Sequence, residues 1–216
     1  MVKVREVRYD KVIVREQEVT LKEGLNCLVG PSGLGKSTFL RVLNKALKWP
    51  FVPQEPHLPP YATPLDLAEY QSKFNSCSPP REMVSNFLEL SEELGIRDKI
   101  GVKVGKLSSG EKQRVAVALA LARGCKELLA DEPTSQLDPK NAIKVMEEIA
   151  RRTVISLVVT HDLAAMFKCD KFYTLVDGYL RESSPEEALG FNWEEICFKH
   201  FNARDLKSSS NNSSTS

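Results

Sequence analysis

The sequence predicts an α/β fold in which helices cover both faces of a mainly parallel core sheet. Apolar segments such as 126–132 and 153–162 have the composition of buried strands, and they alternate with helical segments such as 139–152. A glycine-rich turn at 30–38 lies between an expected strand and an expected helix. The segment of about 56–106 lacks the alternation, so we expect a helical insert there.

Three strands are expected before the glycine-rich turn, at 2–7, 11–21 and 25–30. A helix over about 36–47 and a short strand at 50–54 follow. Several prolines between 50 and 64 predict irregular chain in that stretch. Near the other end of the chain, the segment 171–182 is typical of a hairpin that turns at Asp177-Gly178.

Several helix starts are marked by capping residues. Thr63-Pro64 and Asp138-Pro139 each join a side chain that caps helices to a proline suited to the first helical position. A further helix is expected over about 80–94, ended by Gly95. Ser184-Pro185-Glu186-Glu187 predicts the start of a final helix by the same capping logic.

Composition excludes several classes of protein. The 216 residues carry a formal net charge of +1, which does not indicate a general nucleic-acid binder. The five cysteines are scattered and odd in number, which favours buried thiols in a reducing compartment over a disulfide framework or a zinc site. No apolar run is long enough to span a bilayer, and the N-terminus does not read as a signal peptide. We expect one ordered domain over 1–206 and a disordered Ser/Asn-rich tail over 207–216.

The turn GPSGLGKST satisfies the G-x-x-x-x-G-K-[ST] pattern of a P-loop. Glycines allow backbone N–H groups to converge on phosphate oxygens, and the helix start adds favourable partial charge. Lys36 is expected to reach the β- and γ-phosphates, and the Ser37 hydroxyl to ligate Mg²⁺. A chance glycine-rich turn is the competing interpretation, and the strand-then-helix context makes it a poor one. The predicted nucleotide-binding residues are Gly30, Pro31, Ser32, Gly33, Leu34, Gly35, Lys36, Ser37 and Thr38.

Two carboxylates follow the apolar strand at 126–130. Asp131 is expected to hold Mg²⁺ through water, and Glu132 to polarise an attacking water as a general base. The alternative is an acidic strand end that faces solvent. In a chain that already carries a P-loop, we favour the metal and catalytic interpretation.

A second segment, LSSGEKQR at 107–114, also looks like a phosphate-binding helix start. Ser108 and Glu111 have the S-x-x-E spacing of a capping box, which stabilises a helix without any ligand. From these residues alone, both the capping and the phosphate-binding interpretations remain open.

The order of the motifs resembles that of the ATP-binding-cassette (ABC) ATPases over about residues 2–190. GPSGLGKST is similar to the Walker A motif, FVPQEP to the Q-loop, and LSSGEKQR to the family signature. LLADEPTSQLD resembles Walker B running into the D-loop, and VVTHD resembles the switch-histidine segment. This resemblance implies a P-loop NTPase three-layer sandwich with a reduced antiparallel β-subdomain and a helical subdomain over about 56–106.

The resemblance also implies roles for individual residues. Glu132 and His161 would be catalytic, and Gln54 would contact Mg²⁺ together with Ser37 and Asp131. Tyr9 would stack on adenine or merely pack in its strand. The remaining motif residues would bind the γ-phosphate held by a second subunit, or form the D-loop between the two subunits: Ser108, Ser109, Gly110 and Glu111 in the signature, and Ser135 and Asp138 in the D-loop. ATP and Mg²⁺ are thus the implied cofactors.

The sequence departs from the family pattern at two places. Ser109 and Glu111 replace the usual glycine and glutamine of the signature, and Gln136 is a milder change in the D-loop. Lys36 and Gln54 are only 18 positions apart, so part of the usual antiparallel β-subdomain is missing. The sequence therefore does not identify the residues that contact adenine.

The leading hypothesis is the ATPase subunit of a membrane transporter, placed on the inner face of the cell membrane. Its implied partners are a second ABC ATPase subunit, transmembrane permease subunits and a possible substrate-binding protein, with no nucleic acid. The residues Pro59, Pro60 and Tyr61 after the Q-loop would lie near the permease contact. A soluble cassette that acts on DNA or ribosomes is the second hypothesis, and a P-loop kinase the third. The spacing of 54 residues between Gln54 and Ser108 leaves no room for a long coiled coil.

Overall fold

The computed structural model of the protein describes residues 2–4, 7–9, 12–184 and 186–187. Four short strands begin the chain: β1 (Val2–Val4), β2 (Val7–Tyr9), β3 (Val12–Val14) and β4 (Gln17–Val19). β1 pairs with β4 and β2 with β3, both antiparallel. The expected strands at 2–7 and 11–21 are therefore each divided into two, because β3 and β4 pair with different partners.

The central sheet contains six strands: β5 (Gly24–Leu28), β6 (Phe51–Val52), β7 (Glu127–Asp131), β8 (Ile155–Val159), β9 (Lys171–Val176) and β10 (Tyr179–Ser183). Their order is β10-β9-β5-β8-β7-β6. Every neighbouring pair is parallel except β9 and β10, which form an antiparallel hairpin. This hairpin turns at Asp177 and Gly178, as predicted, and both residues have positive φ. The predicted mainly parallel sheet is confirmed.

Register brings three strand ends to one edge of the sheet. Leu28 of β5 and Asp131 of β7 both pair with Val159 of β8. In parallel sheets, ligands bind beyond the carboxyl ends of the strands. The loops that follow β5, β7 and β8 are therefore the ones from which a site can be built.

Six helices complete the described fold: α1 (Lys36–Leu47), α2 (Pro64–Ser72), α3 (Pro80–Glu93), α4 (Ser109–Ala122), α5 (Pro139–Arg152) and α6 (Leu163–Met166). The predicted caps are present. Thr63 and Asp66 form a capping box on α2, and the Asp138 carboxylate accepts from Asn141 N–H at 3.1 Å. The expected final helix lies largely outside the described residues, although Glu187 N–H already donates to Ser184 Oγ at 3.2 Å.

Two apolar cores lie on opposite faces of the sheet. Phe39, Leu40 and Leu43 of α1 pack with Leu129 and Leu157 on one face. The other face buries α4 and α5, together with Met83, Phe87 and Leu90 from the segment 56–106. α2, α3 and two short 3₁₀ turns occupy that segment, so it is helical as expected. Its standing as a separate subdomain, like the division at residue 206, remains a prediction.

The expectation of free cysteines is wrong. Cys27 of β5 and Cys169 form a disulfide, as do Cys77 and Cys125, with Cα–Cα distances of 5.9 and 5.1 Å. Both distances suit the geometry of a disulfide. The sequence hides these pairs because their members are 142 and 48 positions apart. Cys197 lies outside the described residues.

A helix that crosses a membrane must be both long and apolar, and no helix within the described ranges meets both conditions.

Candidate functional site

A polar cleft lies at the sheet edge where β5, β7 and β8 end. Its volume is about 350 Å³. The loop after β5 and the start of α1 form one wall, and Glu132 and His161 form part of the other. The full lining comprises Ser32, Gly33, Gly35, Lys36, Ser37, Thr38, Gln54, Glu132, Val159 and His161.

The loop from Gly30 to Gly35 folds as a compact turn that side chains would strain. Gly30, Gly33 and Gly35 have φ values of 133°, 86° and 86°, which glycine adopts readily. Gly35 is the N-cap of α1, and no side chain caps the helix there. The first N–H groups of α1 are therefore not occupied by an N-cap side chain, which leaves them able to bind a phosphate.

The Lys36 ammonium is held inside this turn. Its Nζ donates to Gly30 O at 2.8 Å and to Pro31 O at 2.9 Å. The residue is buried, and burial lowers the pKa of Lys36, while the charges of Glu132 and Asp131 oppose that change. The P-loop thus contains a desolvated cation with few competing partners, which suits it to an anionic phosphate.

Asp131 contacts Ser37, which lines the cleft. The Ser37 hydroxyl donates to Asp131 Oδ1 at 2.9 Å. Asp131 is almost fully buried, and burial raises the pKa of its carboxyl, opposed by the hydrogen bond from Ser37 and by the charge of Arg41. A buried carboxylate beside a hydroxyl supplies the oxygen ligands that Mg²⁺ prefers. Gln54, which lines the same cleft, can add a third oxygen.

Glu132 has a strained backbone at the point where β7 ends. Its φ of 50° is rare for a residue other than glycine, and such strain often marks functional sites. Its N–H donates to Val159 O at 2.9 Å, which fixes Glu132 against the end of β8. Burial raises the pKa of Glu132 to about 7, partly opposed by a hydrogen bond from the backbone of His161.

His161 faces Glu132 from the loop after β8. Its Nε2 lies 2.6 Å from Glu132 Oε1, and about half of the imidazole is exposed to solvent, at 54%. Burial lowers the pKa of His161, and the nearby charge of Lys36 lowers it further. A carboxyl with a raised pKa beside an imidazole with a lowered pKa can accept a proton near neutral pH, as a general base must.

Comparison with known proteins agrees with this geometry. The model of the ABC transporter family matches residues 15–135, more than half of the chain. The lipoprotein-releasing system ATP-binding protein LolD of Rickettsia conorii is 33% identical, over 76% of this chain and 88% of its own length. The chain belongs to the ABC transporter family. As a member, it is an ATP-binding and ATP-hydrolysing subunit.

Two further matches support this membership. The uncharacterised ABC transporter ATP-binding protein YvrO of Bacillus subtilis is 30% identical, over 78% of this chain and 87% of its own length. The dimeric post-hydrolysis structure of the cassette MJ0796, bound to ADP and Pi, has a TM-score of 0.69 at 26% identity. It covers 85% of this chain and 98% of its own. The transport hypothesis is thus favoured over the soluble cassette and the kinase.

The signature segment of this ABC ATPase does not line its own cleft. Ser108 and Glu111 form the predicted capping box, in which Glu111 N–H donates to Ser108 Oγ at 3.2 Å and Ser108 N–H to Glu111 Oε2 at 2.8 Å. Gly110 packs against the D-loop, where a Cβ would come 2.9 Å from Gln136 O. In the D-loop, Ser135 Oγ donates to Glu132 O at 3.1 Å.

The structure brings into one cleft residues of Walker A, the Q-loop, Walker B and the switch segment of the ABC ATPase. Gly30, Leu34 and Asp131 do not line the cleft, and neither do Ser108–Glu111, Ser135 and Asp138. Pro31 contributes its carbonyl to Lys36 instead of lining the cleft. Tyr9 lies on β2, and its side chain is outside the description of the structure, so its stacking on adenine stays a prediction.

Two residues were missed from the sequence. Arg41 lies one helical turn after Ser37 on α1, and its charge acts on Asp131. The i, i+4 spacing on a helix could have identified it. Gln113 of α4 is fully buried and donates to Pro53 O, next to Gln54. No sequence pattern indicates that contact, because 60 positions separate the two residues.

Proposed function

We propose that this chain hydrolyses MgATP at the cleft described above and pairs head to tail with a second copy around two nucleotides. One observation carries the assignment of roles: Ser37, which is hydrogen-bonded to Asp131, lines the same cleft as Lys36, Glu132 and His161. Metal-ligand oxygens, a general base and a phosphate-binding cation are thus collected within one site. The residue roles below follow from this arrangement.

Ser37, Asp131 and Gln54 would hold Mg²⁺, whose chemistry is to neutralise charge on the phosphates. The N–H groups at the start of α1 and the Lys36 ammonium would bind the β- and γ-phosphates. To reach them, Lys36 must exchange its bonds to Gly30 O and Pro31 O for bonds to phosphate oxygens. Because those carbonyls are neutral, the exchange favours the anion.

Glu132 would accept a proton from the attacking water. Its carboxyl is suited to this step because its pKa lies close to neutrality. His161, held mainly neutral, would donate one hydrogen bond from its ring and accept another, and so orient Glu132 and the water. The buried carboxyl of Glu132 and the half-exposed imidazole of His161 would then act together on the attacking water.

The signature would act on the nucleotide of the partner subunit. Ser108 and Gly110 belong to a helix start that lies outside the cleft of their own chain, so a role in phosphate binding requires a second subunit. MJ0796, whose cassette resembles this chain, was solved as a dimer. A nucleotide shared between two subunits stabilises their association by mass action.

An apolar groove of about 380 Å³ is the proposed permease contact. Pro53 and Pro56 of the Q-loop segment, Tyr70 and Phe74 of α2, and Leu119 of α4 contribute to its walls. Tyr70 and Phe74 are 62% and 70% exposed, which is unusual for apolar surface without a partner. Pro59, Pro60 and Tyr61, expected near this contact, follow Leu58 on its rim but do not line it.

Through this groove the chain would be held on the cytoplasmic face of a membrane by a permease, with which a substrate-binding protein could also work. The two disulfides are uncommon in the cytosol of most organisms, although they are common in intracellular proteins of hyperthermophiles. The two disulfides and the proposed location are therefore compatible only in a cytosol that leaves protein disulfides oxidised.

Phosphate release from MgATP tests the proposed catalytic role. We expect Glu132→Gln to reduce kcat by about 10²–10⁴-fold, because the general base is lost. Glu127→Gln is the matched control, since Glu127 is the first residue of β7, whereas Glu132 directly follows its last residue. Equal kcat values for wild-type protein and Glu132→Gln would refute the role of Glu132.

A further inference from the structure

We propose that Gln113 is a positioning residue that links the signature helix α4 to the loop carrying Gln54. This inference rests on the proposed function, because it assigns a coupling role between two parts of that site. Gln113 does not line the cleft, and it lies near the end of the segment 107–114 that resembles the family signature.

Gln113 occupies a position that packing would normally give to an apolar side chain. It is fully buried, and the residues that follow it on α4, from Val115 to Ala122, are all apolar and buried. Its Oε1 is buried with no hydrogen-bond partner among the described residues. A buried acceptor without a partner costs stability, so packing alone does not explain an amide here.

The amide instead makes one contact with the loop between β6 and α2. Gln113 Nε2 donates to Pro53 O at 3.4 Å, across 60 positions of sequence. Proline has no N–H, so its carbonyl is the only main-chain group by which this residue can be held. The next residue is Gln54, which lines the cleft.

The other end of this connection is the signature. α4 begins at Ser109, and Gln113 follows Ser108 and Gly110 within the first two turns of the helix. In the proposed dimer, Gln54 serves the nucleotide of its own subunit, whereas the signature serves that of the partner. Gln113 therefore stands between the two half-sites within one chain.

The chemistry of an amide suits such a link. Gln113 has two donor hydrogens and an acceptor oxygen, of which one donor is engaged with Pro53. When the loop moves to place Gln54, the amide can keep this bond or use its free Oε1 without leaving its buried position. An apolar side chain of similar shape would fill the same space. It could not hydrogen-bond to the loop, so it would not connect the loop to the helix.

The test replaces the amide by a side chain of similar size and flexibility. We expect Gln113→Met to lower kcat for ATP hydrolysis by about fivefold while KM for ATP and Tm stay close to wild type. Gln113→Leu is a second variant of the same chemistry, in case the first packs poorly. The matched control is Ser156→Ala on β8, which likewise removes a buried polar atom without a hydrogen-bond partner, here a hydroxyl, and should leave kcat unchanged.

Combination with Gln54→Ala decides whether Gln113 acts through that residue. We expect the double variant Gln54→Ala/Gln113→Met to have the kcat of Gln54→Ala alone. Wild-type kcat in both Gln113 variants, a fall in kcat only in step with Tm, or two losses that multiply in the double variant would overturn the inference. Failure of wild-type protein to hydrolyse ATP would instead refute the proposed function.

Discussion

His161 Nε2 lies 2.6 Å from Glu132 Oε1, and this contact joins the chain that follows β8 to the chain that follows β7. The two residues are 29 positions apart in sequence but adjacent in the sheet, because Asp131 and Val159 are register partners. Glu132 N–H also donates to Val159 O, so main chain and side chain are fixed to the same strand end. The proposed catalytic geometry is a consequence of strand order.

The first prediction concerns stability and pH in the protein without nucleotide or metal. The pKa of Glu132 is raised from 4.5 to about 7, so the folded state keeps its proton where the unfolded state has lost it. The stabilisation of the folded state by the protonated Glu132 carboxyl is fully present below about pH 4.5, and it is lost as pH rises through about 7. The unfolding free energy of Glu132→Gln should therefore exceed that of wild type by an amount that grows by about 3 kcal/mol across this window.

Urea unfolding of both proteins at a series of pH values measures this difference. A gap between variant and wild type that stays constant from pH 4 to pH 8 would contradict the raised pKa of Glu132.

The second prediction concerns His161. His161→Ala should lower kcat by about 10²-fold or more, since the imidazole orients Glu132 and the water. The imidazole is about half exposed, so the variant should fold with little change in Tm. Single-turnover phosphate release measures the chemical step. A kcat within about twofold of wild type would remove His161 from the mechanism.

The third prediction concerns the capping box of the signature. Glu111 Oε2 accepts from Ser108 N–H, and Lys99 Nζ lies 3.7 Å from its other oxygen. These contacts lower the pKa of Glu111, so a negative charge is held where a phosphate would approach. Glu111→Gln keeps a capping residue but removes that charge. We expect it to tighten ATP-driven dimerisation by about fivefold, measured in the Glu132→Gln background. Weaker dimerisation would show that the carboxylate assists the partner's nucleotide.

The fourth prediction concerns the Cys77–Cys125 disulfide. It joins the loop between α2 and α3 to the turn between α4 and β7, where Asn75 Nδ2 also donates to Arg123 O at 2.9 Å. Cys77→Ser/Cys125→Ser should lower the unfolding free energy by about 2–4 kcal/mol, because the cross-link restricts the unfolded chain.

Cys77 is exposed whereas Cys27 is fully buried, so brief treatment with a dithiol should reduce the first disulfide and spare the second. Mass spectrometry of alkylated protein measures this order. Free thiols at Cys77 and Cys125 before any reduction would contradict the disulfide.

Much of the fold could be predicted from local sequence signals. The helix starts at Thr63, Ser108 and Asp138 could be predicted because a cap and the helix it stabilises are adjacent in sequence. The segment between Lys36 and Gln54 is short because only residues 48–50 separate α1 from β6, with no additional strand between them.

The rest depended on proximity in three dimensions. Neither disulfide could be inferred from cysteine spacing, and the bond from Gln113 to Pro53 O arises only when α4 packs beside β6. The positive φ of Glu132 and its bond to Val159 O are likewise features that the sequence does not indicate. Motif order indicated several residues that line the cleft, among them Lys36 and Gln54. The raised pKa values of Asp131 and Glu132 depend on burial that no motif encodes.

The central claim is that the signature of one subunit serves the nucleotide of another, and the mass of Glu132→Gln in solution tests it most directly. We predict that light scattering will show a shift from monomer to dimer when MgATP is added, because the variant binds ATP but hydrolyses it slowly. Ser108→Arg in the same background should abolish the shift and leave ATP binding intact. A variant that binds ATP and stays monomeric would contradict the claim and leave Ser108 and Glu111 with a capping role alone.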